Sequence, residues 1–384
     1  VTNLLNKKDT TKEVSKKQLL SSKKLEITYD SKKISNANVF IITVPTPIKK
    51  NKKPNLIPLI NATKTVSKFL KKGSVVILES TVYPGTTEEI CVPILEKLSK
   101  LKYKKDFSCG YSPERINPGD KIRTLTKIKK VVAGSDYKTT KFLLKLYNKI
   151  IKAGVYEAES ISVAEMAKVI ENSQRDINVA FMNEIALICN KLNINTKSVL
   201  DAAKTKWNFL DFEPGLVGGH CISVDPYYLY YKSKKLGYEP QVILSGRKVN
   251  DNMSNVIVEK ISKKLKKNKS SKNSKVLILG LTFKENCSDV RNSQSIKIFK
   301  KLEKKNFNVS AFDSYADKKI LKKEFNINLI KYPKKNYYDV VVITVKHKMF
   351  YKLGYKKISK FCNNDGFLYD IKNMFSKSNI SMSL

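Results

Sequence analysis

Residues 218–229 read GGHCISVDPYYL: a cysteine preceded by two glycines and a histidine, with an aspartate four residues on. Once deprotonated, a thiol is a strong nucleophile near neutral pH, which makes Cys221 a candidate for covalent catalysis. Gly218 and Gly219 carry no Cβ, so a substrate is expected to approach the backbone closely there. Asp225 is near enough in sequence to share the site. The alternative for Cys221 is a buried small hydrophobe, a common state of free cysteine. A second pair, Lys168 and Asn172, lies four apart in a segment of helical periodicity and therefore on one face. In a chain with 74 basic residues, Lys168 could equally be one more solvated charge.

Strands and helices must position these groups. Val39 to Val44 is a β-branched run closed by Pro45, Thr46 and Pro47, as expected of a buried strand ending in a turn. Ser74–Leu78 is a second, and after it Thr86 offers a capping box with Glu89, opening a helix towards Leu98. Further strands are expected near Phe107 to Tyr111 and Ile128 to Ala133. From Ser162 to Asn193 the pattern becomes one long amphipathic helix without Gly or Pro, and helical segments continue to about Lys266. A polar linker, 266–275, precedes a second α/β alternation: Val276 to Leu279, a helix from about Ser293, Val309 to Phe312, Val340 to Thr344 and Phe367 to Asp370. The expected fold class is α/β, with two Rossmann-like parallel-sheet domains joined by a central helical region. The boundaries predicted are 1–160, 161–266 and 267–384. No GxGxxG occurs; a lone Gly280 follows the first strand of the second α/β region.

Composition narrows the partners. The 384 residues carry a formal charge of +40, which invites a nucleic-acid reading. Only five of the 74 basic residues are arginine (Arg115, Arg123, Arg175, Arg247 and Arg291), and the lysines are spread along the whole chain. Such an even surplus is expected of compositional drift, with no nucleic-acid partner. Where lysine is the default cation, a retained arginine points to a site that needs a planar fork. The six cysteines contain no CxxC pair, so neither a disulfide framework nor a metal site is expected. No apolar run approaches the ~20 residues that cross a bilayer, and the expectation is a cytoplasmic protein without a membrane partner.

Segments VPTPI (44–48), ESTVYPGTTEE (79–89), YSPERINPGD (111–120), AKVIENSQRDINVAFMNE (167–184), TKWNF (205–209), PGLVGGHCISVDPYYL (214–229) and GLTFKENCSDVRNS (280–293) follow one another in a familiar order. The chain resembles the UDP-glucose/GDP-mannose dehydrogenase family of UDP-sugar 6-dehydrogenases over essentially its full length. TKWNF with PGLVGGHC is most similar to the branch acting on UDP-N-acetylglucosamine or UDP-N-acetylgalactosamine, that of Vi-type capsular polysaccharide synthesis. The resemblance implies an N-terminal NAD domain, a central helical dimerisation region, a C-terminal UDP domain and a homodimer. Members open with a strand and a GxGYVG turn that this sequence lacks. A truncated first domain without its initial βαβ portion is therefore expected, with an inactive nucleotide-binding fragment as the alternative function.

The chemistry implied is twofold oxidation of the sugar C6 alcohol to a carboxylate, with NAD as cofactor and Cys221 forming a thiohemiacetal and then a thioester. By the same resemblance Lys168 and Asn172 stabilise the oxyanion, while Glu114 and Asp225 handle protons and position water. Thr46, Thr81 and Arg291 serve the cofactor, with Thr81 also touching the water. Glu114, Arg115, Lys168, Asn172, Arg247, Gly218 and Lys284 are implied to bind the UDP-sugar. The structural alternatives are a helix cap for Thr81 and a surface ion pair for Glu114. His220 is expected only to pack its loop. One departure bears on the sugar: the UDP-glucose branch has a second glutamate four residues after Glu114, where this chain has Pro118.

Overall fold

A computed structural model describes residues 1–9, 14–49, 51–117, 120, 122–267, 273–375 and 382–384. Pro118 and residues 268–272 of the expected 266–275 linker lie outside the described residues. The chain divides into two compact units, Val1–Ile170 and Glu171–Leu384.

In the first unit, two short helices, α1 (Thr2–Leu5) and α2 (Lys16–Ser21), precede strand β1 (Val39–Ile42). Helix α3 (Ile57–Ser67), β2 (Ser74–Leu78), α4 (Val92–Ser99), β3 (Phe107–Tyr111), β4 (Lys130–Gly134), α5 (Tyr137–Asn148) and β5 (Val155–Glu157) follow. The sheet order is β1-β2-β3-β4-β5. Side chains alternate across β2: Val76 and Leu78 join one core, Ile77 the core on the opposite face. Burial on both faces is what an almost continuous apolar run such as SVVIL requires.

Two local expectations are corrected here. The sheet is not wholly parallel, because β4 runs antiparallel to β3 through Gly110–Gly134 and Tyr111–Ala133. A parallel return needs a crossover, usually a helix, and the described part of the 112–129 connection holds only a short 3₁₀ turn, Leu125–Lys127. Nor does Thr86 form a capping box: it is itself helical and its hydroxyl donates to Tyr83 O at 2.6 Å. A wider π turn spans Thr87–Cys91, and Pro93 then sits in the first turn of α4, where its missing N–H costs nothing.

Helix α6 (Ile161–Lys191) closes the first unit and opens the second. In the second unit α7 (Thr196–Ala203), α8 (Asp225–Lys235) and α9 (Gln241–Lys267) precede the strands β6 (Lys275–Leu279), β7 (Asn308–Phe312), β8 (Tyr338–Ile343), β9 (Cys362–Asp370) and β10 (Met382–Ser383). Helices α10 (Gln294–Lys304), α11 (Lys318–Phe325) and α12 (Lys348–Ser359) connect β6 to β7, β7 to β8 and β8 to β9. All pairings are parallel and the order is β10-β9-β8-β6-β7. The direction of winding reverses between β6 and β8, and ligands of doubly wound sheets bind beyond the carboxyl ends at such a switch. Gly280, at φ +95°, lets the two strand ends close together: a Cβ there would meet Val345 at 2.7 Å.

Candidate active site

The parallel strands of the first unit deliver their carboxyl ends to one edge. Thr46 follows β1 and donates its hydroxyl to Thr81 O, after β2, at 2.6 Å. Beyond β3 come Ser112, Pro113, Glu114 and Arg115. Arg115 is tied back by Nη1 to Lys129 O at 2.7 Å, and Glu114 and Arg115 line a shallow pocket with Ile116, Leu125, Ile128 and Lys130. Beneath them Lys130 is buried. Its ammonium lies 3.3 Å from Glu79 and 3.3–3.4 Å from the carbonyls of Pro113 and Ser112. Tyr147 donates to the other Glu79 oxygen.

Sequence reasoning missed Glu165, which does what Thr86 was expected to do. Its carboxylate accepts Gly85 N at 2.6 Å, Thr87 N at 2.9 Å and the Thr87 hydroxyl at 2.6 Å. Burial, only partly offset by the bonds from Thr87 and Gly85, raises this carboxyl to about 7. One turn on, Lys168 is only 7% exposed, and among the described residues no hydrogen bond or ion pair engages its ammonium.

In the second unit Asn172 and Asp225 are both buried and joined, Asn172 Nδ2 to Asp225 Oδ2 at 2.6 Å. Asp225 opens α8, and its own amide returns to Cys221 O at 2.8 Å. Cys221 thus heads a tight turn whose end is pinned by Asn172, and its side chain is exposed. The preceding loop is fixed at Gly215, which exchanges two hydrogen bonds (2.8 and 3.0 Å) with the Asn183 amide. Asn250 in turn accepts from Asn183 at 2.8 Å.

The glycine pair is used differently from what was expected. A Cβ on Gly218 would stand 2.8 Å from Asn292 O, and one on Gly219 2.7 Å from the Phe283 ring. Gly219 also has φ +86° and accepts from Asn292 Nδ2 at 3.1 Å. Protein therefore closes on these glycines: the loop after β6 fills the space a Cβ would take. That loop holds Lys284, half-buried, and Arg291, exposed and forked onto Asp289 at 2.8 and 3.0 Å. His220 Nε2 is 3.3 Å from Asp289. Although burial opposes it, His220 and Arg291 hold the Asp289 carboxyl well below the usual range.

Arg247 is a further correction. Expected at the substrate, it is 2% exposed, paired to Asp176 at 2.6 Å and Asp251 at 2.5 Å, and set 5.5 Å from the Tyr227 ring centre. Its fork binds helices α6, α8 and α9 together. Among the described residues no cluster of His, Cys, Asp or Glu is arranged to hold a metal, and no helix is long and apolar enough to cross a membrane.

Three domain models of the UDP-glucose/GDP-mannose dehydrogenase family match the chain: the NAD-binding domain over residues 8–151, the central domain over 162–252 and the UDP-binding domain over 277–377. The UDP-N-acetyl-D-glucosamine 6-dehydrogenase of Salmonella typhi is 49% identical, covering 96% of this chain and 87% of that protein. The enzyme of the same name from Pseudomonas aeruginosa is 46% identical, with coverage of 98% and 89%. Among solved structures, the UDP-N-acetyl-mannosamine dehydrogenase Cap5O of Staphylococcus aureus superposes with a TM-score of 0.84 at 27% identity, covering 100% of this chain and 89% of that one. The chain belongs to the UDP-glucose/GDP-mannose dehydrogenase family and is an NAD-dependent UDP-sugar dehydrogenase.

Proposed function

We propose that this enzyme oxidises the C6 alcohol of a UDP-N-acetylhexosamine twice, to the uronic acid, through a thioester on Cys221. The observation that carries the reading is the Asn172–Asp225 bond, which fixes the turn headed by an exposed cysteine. Bound NAD supplies the hydride acceptor for both oxidations. Thr46 and Thr81 fit its nicotinamide end, since they lie just beyond the carboxyl ends of neighbouring parallel strands, where doubly wound sheets take nucleotides. Arg291 offers a fork for its pyrophosphate and Lys284 a cation for the UDP-sugar, with Glu114 and Arg115 beside the sugar.

In the first step the C6 hydroxyl loses a proton and C6 a hydride, leaving an aldehyde. The Cys221 thiolate adds to that carbon, and the Lys168 ammonium and Asn172 amide stabilise the charge gathering on O6. A second hydride leaves C6, giving the thioester. Water then adds, Asp225 or Glu114 takes its proton, and the thiolate departs with the sulfur–carbon bond pair. The product serves as a surface-polysaccharide precursor. N-acetylglucosamine is the favoured hexosamine because the 49% and 46% identical relatives are named for it.

The test is NADH formation with the full chain and a panel of UDP-sugars. Two NADH per sugar are expected with UDP-N-acetylglucosamine, less turnover with the galacto epimer and least with UDP-glucose. Cys221→Ser should abolish acid formation yet leave UDP-sugar binding nearly intact, because an alkoxide is far harder to form than a thiolate. Steady acid production by that variant would overturn the covalent route.

We further propose a homodimer built on α6. Val163, Ile170, Phe181, Ile188 and, just past its end, Leu192 recur at helical spacing, and all five are exposed. An apolar stripe of that length on a surface helix calls for a partner.

A further inference from the structure

We infer that His347 is a positioning residue for UDP binding: with Asp313 it latches the loop that carries Lys284, and it does so as the neutral ring with its proton on Nε2. The inference rests on the reading that Lys284 contacts the UDP-sugar.

His347 lies just beyond β8, at the switch point of the second sheet, and is fully buried. Its Nδ1 accepts the Asn286 amide at 2.9 Å. A backbone N–H can only donate, so Nδ1 is the bare nitrogen and the proton sits on Nε2. That nitrogen faces Asp313 Oδ2 and Thr282 Oγ1, each at 3.2 Å. Tyr315 stacks on the ring, 4.7 Å between centroids and 11° between planes.

Asp313, at the end of β7, grips the start of the same loop. Its Oδ2 accepts Leu281 N at 2.7 Å and Thr282 N at 3.3 Å, while Oδ1 accepts Tyr315 N and Ala316 N. Thr282 passes the restraint on, its hydroxyl donating to Lys284 O at 2.8 Å. Asn286 is held twice, by His347 and through its own Oδ1 by Lys348 N at 2.9 Å. The backbone of Lys284 is thus fastened on both sides: residues 281–282 through Asp313, residue 286 through His347. An acid at the end of the second strand is where dinucleotide sheets hold a ribose. In this unit that carboxylate is consumed by the loop instead, so His347 and Asp313 serve the ligand by fixing what binds it.

Calorimetry with UDP on the full chain, paired with hydrogen exchange of the Asn286 amide, tests the latch. His347→Phe keeps the stack on Tyr315 but loses the polar contacts of both ring nitrogens, to Asn286, Asp313 and Thr282. It should weaken UDP about ten-fold, the scale of one lost hydrogen bond to a buried group, and speed Asn286 exchange. His347→Asn retains an acceptor near Asn286 and should recover most of both effects. Unchanged Asn286 exchange in His347→Phe overturns the latch, whatever happens to UDP, as does a wild-type nitrogen-15 spectrum with the proton on Nδ1. Lys284→Ala separates the two ideas. If it leaves UDP affinity unchanged, the assigned role of Lys284 falls, and with it the consequence for UDP, while Asn286 exchange still reports the latch.

Discussion

Cys221 differs from the other five cysteines in exposure: Cys91, Cys109 and Cys189 are buried and Cys287 and Cys362 half-buried. Burial pushes Cys91 and Cys362 up to about 11 and Cys109 well above the ordinary value, which leaves those thiols inert near neutral pH. Lys168 stands out among the site's cations: it is only 7% exposed, and among the described residues no hydrogen bond or ion pair engages its ammonium. Its charge is then available where an oxyanion develops, so Lys168→Ala should lower kcat by on the order of 10²–10³ with a much smaller change in KM. A change confined to KM would make it a binding residue. Arg247 should behave in the opposite way. Removing one partner of a buried ion pair strands the other, at about 3–5 kcal/mol, so Arg247→Met should lower the unfolding midpoint strongly. In the fraction that stays folded, UDP-sugar affinity should hold; a variant of full stability that fails to bind would restore Arg247 to the substrate.

At the scale of elements, strands were the most legible feature. Runs such as SVVIL and FSCGY stand in the structure over the residues expected, and the long helix lies within two residues of its predicted ends. What the sequence concealed was set by partners far along the chain. The cap at Gly85 and Thr87 comes from Glu165, 80 and 78 residues on, and Arg247 closes on Asp176, 71 residues back. Gly218 and Gly219 looked like room for a substrate because Phe283 and Asn292 are not local to them. A usable signal did exist for Glu165: an acid flanked by Ala164 and Val169, both buried, on the inward face of α6. Its titration gives a prediction. The folded carboxyl, at about 7, holds its proton more tightly than the unfolded one at 4.5. The stability this adds is full below 4.5 and is lost as pH rises through 7, on the order of 3 kcal/mol in all. Glu165→Gln cannot titrate, so its stability relative to wild type should climb between those pH values. A pH-independent difference in unfolding midpoint would mean the carboxylate is ionised throughout.

For the whole molecule, a formal charge of +40 and an exposed apolar stripe pull in opposite directions. Like charge opposes association over a range set by the screening length, about 10 Å at 0.1 M salt and 3 Å at 1 M. The apolar stripe along α6 favours it with little dependence on salt, through the surface that pairing would bury. If two copies join through this face, added salt should tighten the dimer, the reverse of an interface held by ion pairs. Sedimentation at low and high ionic strength reads that directly. Phe181, 52% exposed at the middle of the stripe, is the residue to change. Phe181→Asp should give a monomer at concentrations where the parent is dimeric, with its far-ultraviolet dichroism unaltered. A parent that sediments as a monomer in both salts, or a Phe181→Asp variant that remains dimeric, would remove α6 as the interface. Salt that loosens the parent dimer would instead assign the contact to ion pairs.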